Sequence, residues 1–305
     1  MNTQVTIAGM TLKNPVMTAS GTFGSGMEYQ ALVDLNRLGA VVTKGVSVTA
    51  WEGNETPRIA ETPSGMLNAI GLQNPGLDVF IRRDLTFLEP YDTRVIVNVC
   101  GHTEDEYCEA VRRLSEQARV DAMEINISCP NVKEGGIAFG TDPKAVARIT
   151  RAVRRCTGKP LIMKLSPNVT DIRETARAAE AEGADALSLI NTLTGMKIDV
   201  ERRTYALANR TGGLSGPAIR PVAVRMVHDV CRAVSVPVIG MGGITGGTDA
   251  LEFIMAGATA VAIGTGTFHD PDTAVRTISE IEAYMERHQV GDIRELTGCV
   301  RKGGA

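Results

Sequence analysis

The stretch AMEINIS, residues 122–128, decides the fold because polar and apolar side chains alternate along it. Polar residues stand at positions 124, 126 and 128, and apolar residues stand at 123, 125 and 127. This period of two is typical of a β-strand. In LIMKLS, residues 161–166, Lys164 likewise points away from the face of Met163 and Leu165. We expect the apolar faces of both strands to pack under outer helices.

Short runs of similar character recur along the chain and alternate with amphipathic segments of helical period. The candidate core strands are Pro15–Ala19, Ala40–Thr43, Val95–Val99, Ala122–Ile127, Leu161–Leu165, Ala186–Ile190, Val236–Ile239 and Ala260–Ile263. The candidate helices are Glu28–Arg37, Glu104–Ala118, Pro143–Cys156, Asp171–Glu182, Ile219–Ala233, Gly247–Ala256 and Asp272–Arg287.

The alternation of strands and helices predicts an α/β fold with a parallel sheet, either doubly wound or closed. Polar residues and glycines recur near the carboxyl ends of the strands, where a closed barrel would gather them at one mouth. They are Ser20, Lys44, Asn98, Asn126, Lys164, Asn191, Gly242 and Gly264. We therefore predict one (β/α)₈ barrel domain spanning residues 1–305.

Three further segments are predicted around this barrel. VTIAG and MTLKN, near the N-terminus, read as a short hairpin that precedes the barrel. Residues Ser47–Gly76 form a long insertion after the second strand, and Asn131–Thr141 form a Gly-containing loop after the fourth. Loops of this length at a barrel mouth are often functional, and we expect the second loop to act as a lid.

Composition excludes several classes of function. A formal net charge of -3 over 305 residues argues against a nucleic-acid binder. The segment MNTQVTIAGM does not resemble a signal peptide, so we expect none, and no stretch approaches the ~18 apolar residues needed to span a bilayer. The six cysteines form no C-x-x-C pair and no cluster with zinc spacing. These features predict a cytoplasmic protein with reduced thiols and no metal site of its own.

Two Gly-rich segments follow the last two predicted strands. IGMGGITGG covers Ile239–Gly247, and IGTGTF covers Ile263–Phe268. Glycine lets the backbone approach an anion closely, and many barrels hold a phosphate after strands seven and eight. Tight turns alone would also explain these glycines. Their pairing at these two strands favours a ligand that carries a phosphate.

Lysine and asparagine side chains recur at the predicted mouth. Lys44 and Lys164 could form a Schiff base, neutralise an anion or donate to a reduced flavin, although a solvated lysine is also common at a strand end. Asn68, Asn126 and Asn191, like Asn98, offer amide groups that suit a flat ligand with alternating C=O and N–H edges.

Cys129 differs from the other five cysteines because it directly follows the fourth strand, in NISCPN. A thiol with a reference pKa near 8.5 can serve as a general base when its surroundings help. For the other five cysteines we expect a buried, apolar role.

Taken together, these segments resemble the dihydroorotate dehydrogenases along nearly the whole chain. The most specific match is NISCPNVKEGGIAFGTDP, residues Asn126–Pro143. Supporting matches are TASGTFGSG (Thr18–Gly26), TKGVS (Thr43–Ser47), LNAIGLQNPG (Leu67–Gly76), NTLTG (Asn191–Gly195), GGLSGPA (Gly212–Ala218) and the two Gly-rich loops. A cysteine at position 129 resembles class 1, the soluble class, and the following loop resembles its NAD-linked (1B) branch.

The resemblance implies oxidation of dihydroorotate to orotate in de novo pyrimidine synthesis, with Cys129 as the catalytic base. It implies binding of FMN by Ser20, Lys44, Gly45, Asn98, Asn126, Lys164, Ile190, Gly216, Gly242, Gly243, Gly264 and Thr265. It implies substrate binding by Lys44, Asn68, Ala69, Ile70, Gly71, Leu72, Asn126, Asn191 and Thr192.

The resemblance also implies a partner. Electrons would pass to NAD through a second subunit carrying FAD and a 2Fe-2S cluster, with a homodimer of this chain at the core of a heterotetramer. Three alternatives stay open: a fumarate-dependent homodimeric dihydroorotate dehydrogenase, a Schiff-base aldolase that uses Lys164, and a flavin-binding module without catalysis of its own.

Overall fold

Eight parallel strands close into a barrel, and helices follow most of them along the chain. The computed structural model describes residues 1–127 and 140–300, together with the backbone of 133–134 and 137–139. The barrel strands are β3 Val16–Thr18, β4 Ala40–Val42, β7 Arg94–Val99, β8 Ala122–Asn126, β11 Leu161–Lys164, β12 Ala186–Leu189, β17 Val238–Met241 and β18 Ala260–Ile263. Around the barrel they follow the order β11-β12-β17-β18-β3-β4-β7-β8. The predicted (β/α)₈ barrel is confirmed.

The helices have clear local causes. Asp142 caps the helix Pro143–Arg154 (α4) by accepting a hydrogen bond from the Lys144 amide, and Pro143 occupies its first turn. Thr103 caps the helix Glu104–Ser115 (α3) in the same way. The helices are α1 Leu77–Val79, α2 Thr86–Leu88, α3 Glu104–Ser115, α4 Pro143–Arg154, α5 Ile172–Ala181, α6 Arg220–Cys231, α7 Gly247–Ala256, α8 Gly266–His269 and α9 Thr273–Arg287.

Several predicted elements differ from the structure at their ends, and one helix is absent. The helix predicted over Glu28–Arg37 is wrong, because this segment forms turns and only a short 3₁₀ helix, Leu35–Arg37. The Tyr29 ring stacks on Phe23 and its hydroxyl donates to the Thr22 carbonyl, so tertiary contacts hold the segment against the mouth. The strand predicted to begin at Val236 begins at Val238 instead, and Pro237 lacks an amide to donate.

The helical segment directly after Gly76 was not predicted. A π-helical stretch, Phe80–Leu85, joins α1 to α2 without a break. Its buried Asp84 accepts a hydrogen bond from the Ser25 hydroxyl at 2.6 Å, which ties the segment to the loop after β3. The outer layer of the barrel is therefore filled at a position where sequence reasoning placed no helix.

The hairpin predicted near the N-terminus is present. Strands β1, Val5–Ile7, and β2, Met10–Leu12, pair antiparallel through a two-residue turn. Both turn residues, Ala8 and Gly9, have positive φ, as a type I′ turn requires.

A second sheet lies outside the barrel, and sequence reasoning missed it. The insertion contributes β5, Ile59–Thr62, and β6, Gly65–Asn68, and the segment after β12 contributes β13, Leu193–Met196, and β16, Thr211–Ser215. They form one antiparallel sheet in the order β13-β16-β6-β5. The remaining strands are two short pairs, β9 Lys133–Glu134 with β10 Ile137–Ala138, and β14 Ile198–Asp199 with β15 Thr204–Tyr205.

Apolar side chains fill the space between the barrel and its helices. Met123 and Ile125 on β8 are fully buried, as the alternation in AMEINIS predicts. The expectation of a buried role is confirmed for Cys100 and Cys108. Cys156 and Cys231 are half-buried, and the expectation is wrong for Cys299, which is exposed. Within the described residues, no helix has both the length and the apolar character to cross a membrane.

Candidate active site

One large cavity opens at the carboxyl ends of the barrel strands, with a volume of about 920 Å³. This volume lies at the upper end of the range for small-molecule and cofactor sites. Both the barrel loops and the antiparallel sheet contribute to its wall. The cavity therefore lies where barrel enzymes place their active sites.

The structure brings the predicted binding residues together in this cavity. The lining residues that sequence reasoning had named are Ser20, Lys44, Gly45, Asn68, Ala69, Ile70, Gly71, Leu72, Asn98, Asn126, Lys164, Ile190, Asn191, Thr192, Gly216, Gly242, Gly243, Gly264 and Thr265. Cys129 lies outside the described residues, as do residues 131–132 and 135–136 of the Asn131–Thr141 loop, so the predicted roles of Cys129 and of the loop stay predictions.

Buried polar side chains form the floor of the cavity. The Lys164 ammonium lies 3.0 Å from the Ser20 hydroxyl and 3.5 Å from the Glu124 carboxylate. Ser20 follows β3, on the opposite side of the barrel from β11, so the Lys164 side chain must cross the barrel interior. Asn98 and Ser188 also donate to Glu124. Two predicted ligand residues, Asn98 and Lys164, thus contact the Glu124 carboxylate, to which sequence reasoning gave no role.

Amide side chains form one wall. Asn126 ends β8, and its side-chain oxygen accepts a 3.4 Å hydrogen bond from the Asn191 amide. The backbone carbonyl of Asn126 accepts a 2.8 Å hydrogen bond from the buried Tyr107 hydroxyl on α3. Asn168, which sequence reasoning missed, accepts from the Thr194 amide and donates to the Thr192 carbonyl. Fixed amides of this kind suit the edges of a flat polar ring.

Backbone rather than side chains forms the opposite wall. Gly242 and Gly243 follow β17 directly and have φ of +130° and +77°. A Cβ on Gly243 would stand 2.8 Å from the Gly216 carbonyl oxygen, so a side chain there would displace backbone. Gly264 follows β18, and a Cβ there would meet nothing closer than 3.4 Å. Backbone amides exposed in such turns can bind a phosphate.

The insertion holds the segment at residues 68–72 in an unusual conformation. Gly71 and Leu72 both have positive φ, which is uncommon for leucine. The Asn54 side chain donates to the Ala69 carbonyl at 2.9 Å, and the Asn54 amide donates to the Ile70 carbonyl at 3.0 Å. These contacts fix the segment over the cavity, and backbone held in this way is common at ligand sites.

Among the described residues, two thiols with clearly raised pKa values, Cys108 and Cys231, lie outside the cavity lining. Burial raises the pKa of Cys231 to about 12. The pKa of Cys108 is raised to about 12, mainly by burial and to a smaller extent by a hydrogen bond with Cys156. A thiol with so high a pKa remains protonated near neutrality and makes a poor base or nucleophile there.

Comparison with known proteins agrees with this geometry. The family model described as Dihydroorotate dehydrogenase matches residues 2–285. A protein of Lachnoclostridium phytofermentans named "Dihydroorotate dehydrogenase B (NAD(+)), catalytic subunit" is 65% identical over 301 residues, covering 99% of this chain and 100% of the relative.

Further relatives carry the same name. The protein of Alkaliphilus metalliredigens is 58% identical over 98% of this chain and 99% of its own length. That of Geobacter metallireducens is 58% identical over 97% of both chains. With matches of this extent, the chain belongs to the dihydroorotate dehydrogenase family.

Proposed function

We propose that this chain is the catalytic subunit of an NAD-linked dihydroorotate dehydrogenase that binds FMN and oxidises dihydroorotate to orotate in de novo pyrimidine synthesis. The observation that carries the proposal is the 65% identity with a catalytic subunit of that name over 99% of this chain. The gathering of the predicted ligand residues around one cavity supports it. A single domain over residues 1–305 and a cytoplasmic location belong to the same proposal.

The residues of the cavity fit FMN. The side-chain oxygen of Asn98 is buried and has no hydrogen-bond partner among residues 1–127 and 140–300, so a ligand N–H could satisfy it. The glycine wall at Gly242, Gly243 and Gly264 can hold a phosphate by its backbone amides. We infer that these glycines, with Thr265, hold the phosphate, and that Asn98 and Lys164 bind the ring.

The substrate-binding roles follow from side-chain chemistry. Dihydroorotate is a cyclic ureide with C=O and N–H groups along its edge and a carboxylate, so amide groups on Asn68, Asn126 and Asn191 match its edges. The Lys44 ammonium would pair with its carboxylate. FMN, when bound, supplies the acceptor for the hydride that leaves one ring carbon. Cys129 would remove the proton from the neighbouring carbon, which completes the new C=C bond.

The partner subunit belongs to this proposal too. The names of the relatives contain both NAD(+) and "catalytic subunit", which supports a division of labour between two chains. We infer that the second subunit carries FAD and a 2Fe-2S cluster and binds a homodimer of this chain. Fumarate turnover by the isolated chain, with no NAD reduction after addition of that subunit, would favour the fumarate-dependent alternative instead.

The direct test is an anaerobic titration of the purified chain. We expect a yellow protein whose flavin absorbance bleaches promptly when dihydroorotate is added. A yellow protein that does not bleach would reject the substrate, and a colourless protein unable to bind added FMN would reject the cofactor.

Cys129→Ala tests the catalytic base. The variant should bind FMN normally. Because a positioned base typically raises the reaction rate by roughly 10²–10⁴-fold, dihydroorotate should reduce the bound FMN more slowly by about that factor, as measured by stopped-flow absorbance. Cys299→Ala is the matched control, because Cys299 is exposed, and its reduction rate should equal the wild-type rate. Wild-type reduction in Cys129→Ala would reject the assignment.

A further inference from the structure

Glu124 is a carboxylate enclosed within the barrel, with 1% of its surface exposed. Its Oε1 accepts a 2.6 Å hydrogen bond from Asn98 Nδ2 and lies 3.5 Å from Lys164 Nζ. Its Oε2 accepts a 2.7 Å hydrogen bond from Ser188 Oγ. The four residues lie on four adjacent strands, β7, β8, β11 and β12. One side chain therefore connects half of the barrel wall directly beneath the cavity.

Stability alone does not account for this carboxylate. Branched apolar side chains dominate the interior layers of such barrels. A buried ion pair often contributes no more to stability than well-packed apolar residues of the same volume, because both charges lose their hydration. The reason for a glutamate here must therefore be sought in what it does to its partners.

The first partner is Asn98, which is fully buried and lines the cavity. A carboxylate can only accept hydrogen bonds, so the Asn98 amide must turn its NH₂ group toward Glu124. The side-chain oxygen is then directed away from Glu124, and it has no partner within the described part of the chain. Glu124 thereby makes Asn98 a hydrogen-bond acceptor for whatever occupies the cavity.

The second partner is Lys164, whose ammonium lies between Glu124 and the Ser20 hydroxyl. Lys164 is 3% exposed, so solvent screens its charge only weakly. The Glu124 carboxylate offsets that charge at the cavity floor. Without the carboxylate, the floor would present a net positive charge to a ligand.

We propose that Glu124 is a positioning residue for the flavin: it sets the orientation of the Asn98 amide and offsets the charge of Lys164, and so tunes both the affinity and the reduction potential of the bound cofactor. The inference rests on the proposed FMN site but not on the identity of the substrate. It assigns a role to a side chain that lies beneath the ligand residues rather than among them.

Two variants separate the two effects. Glu124→Gln removes the charge but keeps an oxygen that can accept from Asn98. Its FMN dissociation constant should stay within about threefold of wild type, since the hydrogen bond is retained. The reduction potential of its bound FMN should become more positive, because an uncompensated Lys164 favours the more negatively charged reduced form. Glu124→Leu removes both the charge and the hydrogen-bond acceptor for Asn98, and its FMN affinity should fall about tenfold or more.

Thr18→Val is the matched control. Thr18 is fully buried in β3, exchanges hydrogen bonds with the Val42 backbone, and is not part of the cavity lining. Loss of the Thr18 hydroxyl should lower the melting temperature, while the FMN affinity and the reduction potential of the bound FMN stay at wild-type values. A purely structural role for Glu124 predicts the same pattern for both Glu124 variants.

The experiment uses apoprotein reconstituted with FMN. Affinity is measured from the change in FMN fluorescence on binding, and the potential from anaerobic equilibration with a dye of known potential. A wild-type potential in Glu124→Gln, or a Glu124→Leu affinity equal to that of Thr18→Val, overturns the proposal. If Glu124→Leu does not fold, Glu124→Gln alone decides. Wild-type protein that binds no FMN rejects the cofactor itself, whereas FMN that dihydroorotate cannot reduce rejects only the substrate.

Discussion

The two halves of the barrel mouth are built from different groups. Strands β7, β8, β11 and β12 present buried polar side chains, among them Asn98, Glu124 and Lys164. Strands β17 and β18 are followed directly by glycines and present backbone. Side chains can match the edge of a particular ring, whereas backbone amides bind an anion of almost any identity. The difference indicates that one half selects the ligand and the other half holds it.

The largest effect is expected in the side-chain half. Lys164→Met leaves the Glu124 carboxylate buried without its cation, which should lower the free energy of unfolding by about 3–5 kcal/mol. Urea denaturation measures this change. The double variant Lys164→Met with Glu124→Leu should recover most of the loss, because no buried charge remains. A single variant as stable as wild type would show that the charges are not coupled.

The backbone half should respond to added volume rather than to charge. Gly243→Ala forces a side chain into a backbone with φ of +77° and places its Cβ 2.8 Å from the Gly216 carbonyl oxygen. We expect a loss of about 2–4 kcal/mol in the free energy of unfolding, together with weaker FMN binding.

Gly9→Ala is a close control for this variant. Gly9 has the same φ of +77°, but a Cβ there would meet nothing within 4 Å. The Gly9→Ala variant should lose only about 1–2 kcal/mol in the free energy of unfolding, because of the strained φ, and should bind FMN normally. Equal losses in the two variants would show that the contact beside Gly243 contributes nothing.

The smallest effect is expected in the pH dependence of the free energy of unfolding, and it concerns a thiol packed behind strands β17 and β18. Cys231 lies against Gly257, which precedes β18, and burial raises its pKa from 9.0 to about 12. Its contribution to stability is therefore fully present below pH 9 and is lost as the pH rises toward 12. Cys231→Ala should flatten the fall in unfolding free energy across this window by about 1 kcal/mol per pH unit.

Denaturation series at pH 8, 9 and 10 would measure this slope. Cys299→Ala is the control, since Cys299 is exposed and its removal should leave the slope as it is in wild type. Identical slopes in Cys231→Ala and Cys299→Ala would contradict the predicted contribution.

Local pattern was sufficient for the barrel and its mouth. Alternation in AMEINIS and LIMKLS, with polar residues or glycines at each strand end, predicted the parallel barrel and brought Lys44, Asn126 and Lys164 to one mouth. This succeeded because strand period and strand end are local properties, and closure then follows from repetition.

Long-range pairing was beyond such reasoning. In the outer sheet, Gly213 pairs with Asn68, and no local signal links residues so distant in sequence. Strand β16 reads TGGLS, and its glycines have low β-propensity. A Cβ on Gly213 would lie 2.0 Å from the Thr192 hydroxyl oxygen, so this glycine is required by a contact that only the folded chain creates.

The sequence by itself determined the barrel, the polar strand ends and the family resemblance, since each depends on residue types in order along the chain. Only the tertiary structure decided the role that we infer for Glu124. The alternation placed its side chain on the polar face, but its partners Asn98, Lys164 and Ser188 come from three other strands. A buried charge is defined by what surrounds it, and those surroundings exist only once the barrel has closed.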